Sequence, residues 1–285
     1  MSRAPQRHRG QRRRLPVITL TALLVLVAVL AGVVALWTSG VRWFVVETPS
    51  MATTAPVGTL VIAHPVTPSA LQVGQVISFH PPTVKTETYT HRITAISDKG
   101  LITTKGDLNG ATDPWRLSPS DVIGEVGIIV PGLGWLLRAT PYLLAGFLLT
   151  WAVSTRFRSP PRRSAARVVG VATTVSVTAS ILRPWCQAVV VTASTTPSFT
   201  HASVVSTGIL PIKVTLGNAS SDRLTAGTLT NLSAATPTHG SGYQLATALD
   251  LPWWGWGIVA VFCSLPLLWT VLVGLPQPAP EEGDE

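Results

Sequence analysis

The chain has 285 residues, of which only 12% are charged, and its mean hydropathy is +0.39. A soluble domain carries about 25% charged residues, so this composition excludes a wholly soluble chain of ordinary type and calls for membrane segments. The net charge of +8 sits largely in two clusters: Arg3, Arg7, Arg9, Arg12, Arg13 and Arg14, then Arg156, Arg158, Arg162, Arg163 and Arg167. Together they hold 11 of the 21 Lys and Arg residues. Each flanks an apolar run, as cytoplasmic segments do, so the charge is read as topology and not as a nucleic-acid surface.

In chain order, residues 1–14 form a basic cytoplasmic N-terminus. Residues 15–37 are an uncharged run of 23 residues. At about 1.5 Å per residue such a helix spans a bilayer core of about 30 Å. The run is longer than the apolar part of a cleaved signal peptide, about 7–15 residues, and no compact small-x-small site follows it. It is therefore expected to be an uncleaved anchor, with the chain emerging outside near Ser39.

Residues 40–135 are different in kind. Short β-branched runs alternate with Pro, Gly and Thr, and predict strands at Thr59–Ala63, Val73–Phe79, Tyr89–Ile96, Leu101–Lys105 and Val122–Val130. Asp98-Lys99-Gly100 is the expected hairpin turn between the third and fourth runs. Residues 136–155 are a second span, with Arg138 reaching toward the interface. Residues 156–167 are a basic cytoplasmic loop. Residues 168–182 are a possible third span, short and rich in Thr and Ser.

Residues 183–250 are rich in Thr, Ser and Val, and their low Lys and Arg content suits an external location. Strands are expected at Val189–Ser194 and Ile209–Leu216. Two sequons, at Asn218 and Asn231, are short enough to arise by chance. Residues 251–275 are a final span whose entrance carries Trp253, Trp254 and Trp256, as expected at a membrane interface. The acidic tail, 276–285, is then cytoplasmic. Were 168–182 not to cross, residues 183–250 would lie inside and the tail outside. Cys186 and Cys263 are read as unpaired, and no zinc or Cys-x-x-Cys spacing occurs.

Serine-dependent peptide hydrolysis needs an exposed hydroxyl, a base for its proton and donors for the developing oxyanion. The segment 40–135 offers Ser50 about a dozen residues beyond the first span, His91 on a predicted strand, and Asp107 and Asp113 beyond it. His64 and His80 lie beside prolines and are read as loop residues. Lys105 is a weaker alternative base. Arg92 is read as a solvated or ion-paired strand residue.

Five segments then carry a resemblance. Pro49-Ser50-Met51 directly beyond a membrane span resembles the nucleophile box of type I signal peptidases. Val73–Phe79 is similar to the strand that follows it in that family. His91-Arg92-Ile93 resembles the box of the general base, and Lys105–Asn109 with Asp113 the acidic box. Ile123–Val126 with Ile129–Gly134 resembles the closing strand and the exit to the membrane. They run in family order over about Val45–Trp135. Histidine at the base position resembles the archaeal and endoplasmic-reticulum branch, where most bacterial members use lysine. The sequence departs from the family at Pro49, where a small residue is usual, and at Ala52-Thr53-Thr54, where a proline usually comes sooner.

The resemblance implies a membrane-anchored α+β protein: a β-rich extracytoplasmic signal-peptidase-like catalytic domain with about four transmembrane helices, in the cell membrane. It implies Ser50 as nucleophile, His91 as general base and Asp113 as the acid that orients it, with Asp107 the alternative for that role. Thr48 is the candidate second oxyanion donor beside the Ser50 N–H. The implied partners are precursor proteins bearing signal peptides, and membrane lipids, with no nucleic acid, metal or organic cofactor and with partner subunits unknown. Two further readings stand beside this serine endopeptidase: a non-catalytic membrane factor for surface-protein assembly, and a dedicated maturase of one pilin-like or fibre-like substrate.

Overall fold

A computed structural model describes residues 17–183, 185–235 and 245–273. The expected basic N-terminus, the acidic tail and the outer edges of the first and last spans lie outside the described residues.

The first compact unit ends at Arg42. It consists of the uncharged helix α1 (Val17–Thr38) and the residues that close it. The carbonyls of a helix C-terminus lack intrahelical partners. Here the Thr38 hydroxyl donates to Ala35 O at 2.9 Å, that of Ser39 to Leu36 O at 2.8 Å, and the Arg42 guanidinium to Trp37 O at 2.7 Å. The same guanidinium lies 4.1 Å from the centre of the Trp37 ring, a cation–π contact that fixes the exit of the helix.

The second unit begins at Trp43. Its first part is a six-stranded sheet built from β1 (Arg42–Val45), β2 (Leu60–His64), β3 (Val76–Phe79), β4 (Tyr89–Ile96), β5 (Ile102–Lys105) and β6 (Val122–Val130). The order is β1-β2-β6-β3-β4-β5. β6 is long enough to pair with two strands: its C-terminal half meets β2 and its N-terminal half meets β3. All four residues of β3 are buried, the pattern of a central strand. Ile77, Phe79, Ile93, Ile102 and Leu117 make one core, and Met51, Ala55, Val61 and Val76 a second beneath the Ser50 segment. The β4–β5 turn falls where expected, with Ser97 N–H donating to Leu101 O at 2.9 Å and Gly100 N–H to Ser97 O at 2.8 Å.

Two helices follow, α2 (Leu133–Ser154) and α3 (Pro160–Leu182). Trp135 in the first turn of α2 is buried against Gly58, and Gly134 approaches Val45 and the Gly58 carbonyl. Arg138 pairs with Glu47 at 3.4 Å. α3 begins eight residues before the expected third span (168 against 160), so Arg162, Arg163 and Arg167 lie on its first turns. Ser159 followed by Pro160-Pro161 explains the early start, since proline is suited to the first helical positions. Gly146 packs on Thr174 and Gly170 on Thr150, a pairing only antiparallel helices can make. Three described helices are long and apolar enough to cross a membrane: the Thr19–Thr38 stretch of α1, α2 and α3.

The Thr/Ser-rich segment forms two three-stranded sheets. β7 (Ala188–Thr195), β8 (Phe199–Ser206) and β11 (Leu229–Ala235) make one, in the order β11-β8-β7. β9 (Ile212–Leu216), β10 (Ala219–Ser220) and β12 (Leu245–Leu249) make the other, in the order β10-β9-β12. Val204, Ile212, Val214, Leu216, Leu224 and Leu232 form their shared core. Helix α4 (Trp253–Val273) falls on the expected last span. Cys186 and Cys263 are both free.

Candidate active site

The Ser50 segment leaves β1 and turns back toward β2. Pro49, Ser50 and Met51 form a single 3₁₀ turn, in which Ala52 N–H donates to Pro49 O at 2.9 Å. Pro49 stands at the start of the turn, where its fixed φ fits and its missing N–H is not needed. Met51 is fully buried in the core below, so Ser50, its neighbour on the turn, keeps its side chain at the surface of a cleft.

β4 supplies the base position. Its alternation buries His91 together with Ile93. His91 Nε2 lies 3.1 Å from Ser50 Oγ, and its Nδ1 lies 2.7 Å from Asp113 Oδ2. Phe79 and Tyr89 stand edge-on to the imidazole at centroid distances of 6.1 and 5.8 Å. Asp113 is 6% exposed and His91 4%, so the ring and its acid are shielded from water while the serine end opens on the cleft. Asp113 also accepts the Thr104 hydroxyl at 2.6 Å, and its N–H donates to Thr104 O at 2.8 Å. Those bonds to β5 fix the carboxylate behind the ring.

The other acid lies elsewhere. Asp107 takes the Arg92 guanidinium in a two-pronged pair, Nε to Oδ1 at 2.9 Å and Nη2 to Oδ2 at 2.8 Å, and also accepts the Thr54 hydroxyl. The Arg92 guanidinium holds the Asp107 carboxyl below the usual carboxylate range, with Thr54 acting the same way and burial opposing. Arg92 further donates to Gly74 O at 2.8 Å and to Thr54 Oγ1 at 3.0 Å. This network ties the chain just after Ser50 to the strand that carries His91. A second tie comes from Leu108 N–H, which donates to Ser50 O at 2.9 Å. Gly106 makes that approach possible, since a Cβ there would come within 2.9 Å of the Ser50 carbonyl oxygen.

Thr48 Oγ1 lies 3.3 Å from Ser50 Oγ on the cleft side. Of the residues set aside as rival bases, His80 Nδ1 donates to Glu87 O at 2.8 Å and Lys105 stands opposite Arg92 in the β4–β5 register. His64 was expected in a loop but ends β2, because β6 extends far enough to pair with it at Glu125. The cleft itself has a volume of about 490 Å³. Its walls are β1 with the residues after it (Phe44–Thr48), the Ser50 turn, and Glu87–His91. Strand β1 was not among the predicted strands, although its residues fall within the predicted β-rich segment 40–135. Among the described residues, no cluster of His, Cys, Asp and Glu is arranged to hold a metal ion.

No curated protein matches the chain. Residues 17–101, from the start of α1 through Ser50 and His91 but short of both acids, match the family model described as "Signal peptidase, peptidase S26", and that match supports a signal peptidase domain in this chain, of a family of serine peptidases.

Proposed function

We propose that the protein is a membrane-bound serine endopeptidase that removes signal peptides from secreted precursors at the outer face of the membrane. One observation carries the reading: a serine, a histidine and an aspartate joined by contacts of 3.1 and 2.7 Å, with the serine on a cleft and the aspartate buried. On this reading Ser50 Oγ attacks the scissile carbonyl as its proton passes to His91 Nε2. Asp113 holds Nδ1–H, keeping the productive tautomer and stabilising the imidazolium. The Ser50 N–H, with the Thr48 hydroxyl as second donor, meets the oxyanion. His91 then returns the proton to the leaving amine, and a water activated by the same ring hydrolyses the acyl-serine.

The cleft suits an extended peptide, with Phe44, Val46, Met51 and Tyr89 as its apolar side. By resemblance, the substrate carries small residues before the bond cut. A span on enzyme and precursor alike confines both to one surface, which raises the effective concentration of the substrate. The non-catalytic reading rests on Pro49 and on the appended β-like segment, yet Pro49 occupies a turn position that tolerates proline, and the Ser50–His91 distance favours catalysis.

The test is precursor processing in membranes. Ser50→Ala, His91→Ala and Asp113→Ala are each expected to accumulate uncleaved precursor at wild-type protein levels. Normal cleavage by Ser50→Ala would end the peptidase reading.

A further inference from the structure

The β-domain of residues 186–250 lies outside the region matched by the family model, and none of its described residues lines the cleft. It nevertheless reaches the Ser50 segment. Gly227, in the connection between β10 and β11, sits against the Ala52 carbonyl and the Pro56 ring. A Cβ at Gly227 would overlap the carbonyl oxygen and stand 2.8 Å from Pro56 Cγ. Gly227 also has φ +77°, a left-handed conformation that glycine adopts without cost. The residue is thus fitted to the contact twice, by size and by backbone.

The turn around it is built firmly. Thr228 N–H donates to Thr225 O at 3.0 Å and its hydroxyl to the same oxygen at 2.6 Å. Gly227 N–H donates to Ser206 O at 2.8 Å, which pins the turn to the end of β8. At that end the outward face of β8 is covered: Val205 is fully buried, whereas His201 and Phe199 on the same face are exposed. On the other side of the contact, Ala52 caps the 3₁₀ turn of Ser50 and is 1% exposed.

We propose that Gly227 is a positioning residue, and that the appended β-domain fixes the pose of Ser50 by seating the Thr225–Thr228 turn on Ala52 and Pro56. This rests on Ser50 being the nucleophile. The Ser50 turn is then gripped from two sides. Leu108 and the Arg92–Asp107–Thr54 network hold one, and Gly227 the other. Among the described residues, none of this domain lines the cleft. The effect is therefore on the geometry of attack, where a displacement of about 1 Å costs on the order of 100-fold in rate.

Full-length protein in lipid nanodiscs, carrying Gly227→Ala or Gly227→Asn, tests this. Asparagine accepts the left-handed backbone better than alanine, but both place a Cβ on Ala52. Both are expected to lower kcat on a precursor peptide about 10–100-fold, to leave KM within about twofold, and to raise hydrogen exchange of the Ser50–Ala55 amides while β8 and β9 stay protected. Unchanged kcat and exchange overturn the proposal. So does an effect confined to alanine, which would mark backbone strain inside the turn. If both variants lose protection throughout β8 and β9, Pro56→Ala approaches the contact from the catalytic side. It should raise exchange of the same amides and lower kcat; no change in either overturns the proposal. Failure of the underlying reading looks different: Ser50 of the wild-type protein would not react with a fluorophosphonate probe, and Ser50→Ala would cleave normally.

Discussion

Burial divides the labour of the two acids that follow β5. Asp113 lies behind His91 with Thr104 as its second partner, and neither His91 nor Asp113 is open to water. Under the proposed mechanism, Asp113→Asn replaces the anionic carboxylate that fixes the tautomer with a neutral amide that can also present a donor to Nδ1. Cleavage kinetics should show kcat down by roughly 10⁴, the scale of the same change in a serine-protease triad. Asp107→Asn acts through Arg92 and Thr54 and should cost far less in kcat. Its signature is in stability. The folded carboxyl titrates below its unfolded value, so its contribution is complete above the unfolded pKa of about 3.9 and is lost as pH falls through the folded one. Thermal melting should therefore place Asp107→Asn below wild type at pH 7, and the gap should close below about pH 4. The sequence alone left the two acids as alternatives, because spacing along a loop does not say which carboxylate turns inward. The contrast lies in the partners: Asp107 faces the cation one residue beyond His91, and Asp113 is drawn to β5 by its own backbone.

At the scale of elements, strands with an unbroken β-branched pattern were legible to the residue. β4 and β6 begin and end where the pattern does, and Gly100 with φ +75° closes the predicted hairpin. Strands that depend on partners were not. β8, with His and Ala within it, has no run of its own; it becomes the centre of its sheet because β7 and β11 both pair with it. Charge misled at α3, whose arginines read as loop although the Ser-Pro-Pro before them is a helix start. The α2–α3 pair also makes a specific prediction. Gly146 faces Thr174 and Gly170 faces Thr150, a close approach of the kind that small residues permit between membrane helices. A leucine at either glycine has no room without separating the helices. Gly146→Leu and Gly170→Leu should lower the melting temperature in detergent, and the double variant should show less than the sum, since both disrupt one interface.

For the molecule as a whole, the antiparallel α2–α3 pair and the Gly227 contact constrain topology together. The helices are joined by a short connection, residues 155–159, so the chain before α2 and the chain after α3 leave from the same end of the pair. Gly227 against Ala52 demands the same thing independently: the β-domain and the Ser50 turn occupy one compartment. If α3 stopped short of crossing, a bilayer would separate two surfaces that touch. The arginines at 156, 158, 162, 163 and 167 gather at the opposite end of the pair, the end that the positive-inside rule would assign to the cytoplasm. We therefore propose that α3 crosses the membrane, which the sequence had left open because its apolar part is short and rich in Thr and Ser. Single cysteines at the exposed positions Lys85, Asp222 and Arg158, in a Cys186→Ser, Cys263→Ser background, read this directly. A membrane-impermeant maleimide should label Lys85→Cys and Asp222→Cys in intact cells, and Arg158→Cys only after permeabilisation. Protection of Asp222→Cys with labelling of Lys85→Cys would place the β-domain inside, and would remove with it the proposed grip on the Ser50 turn.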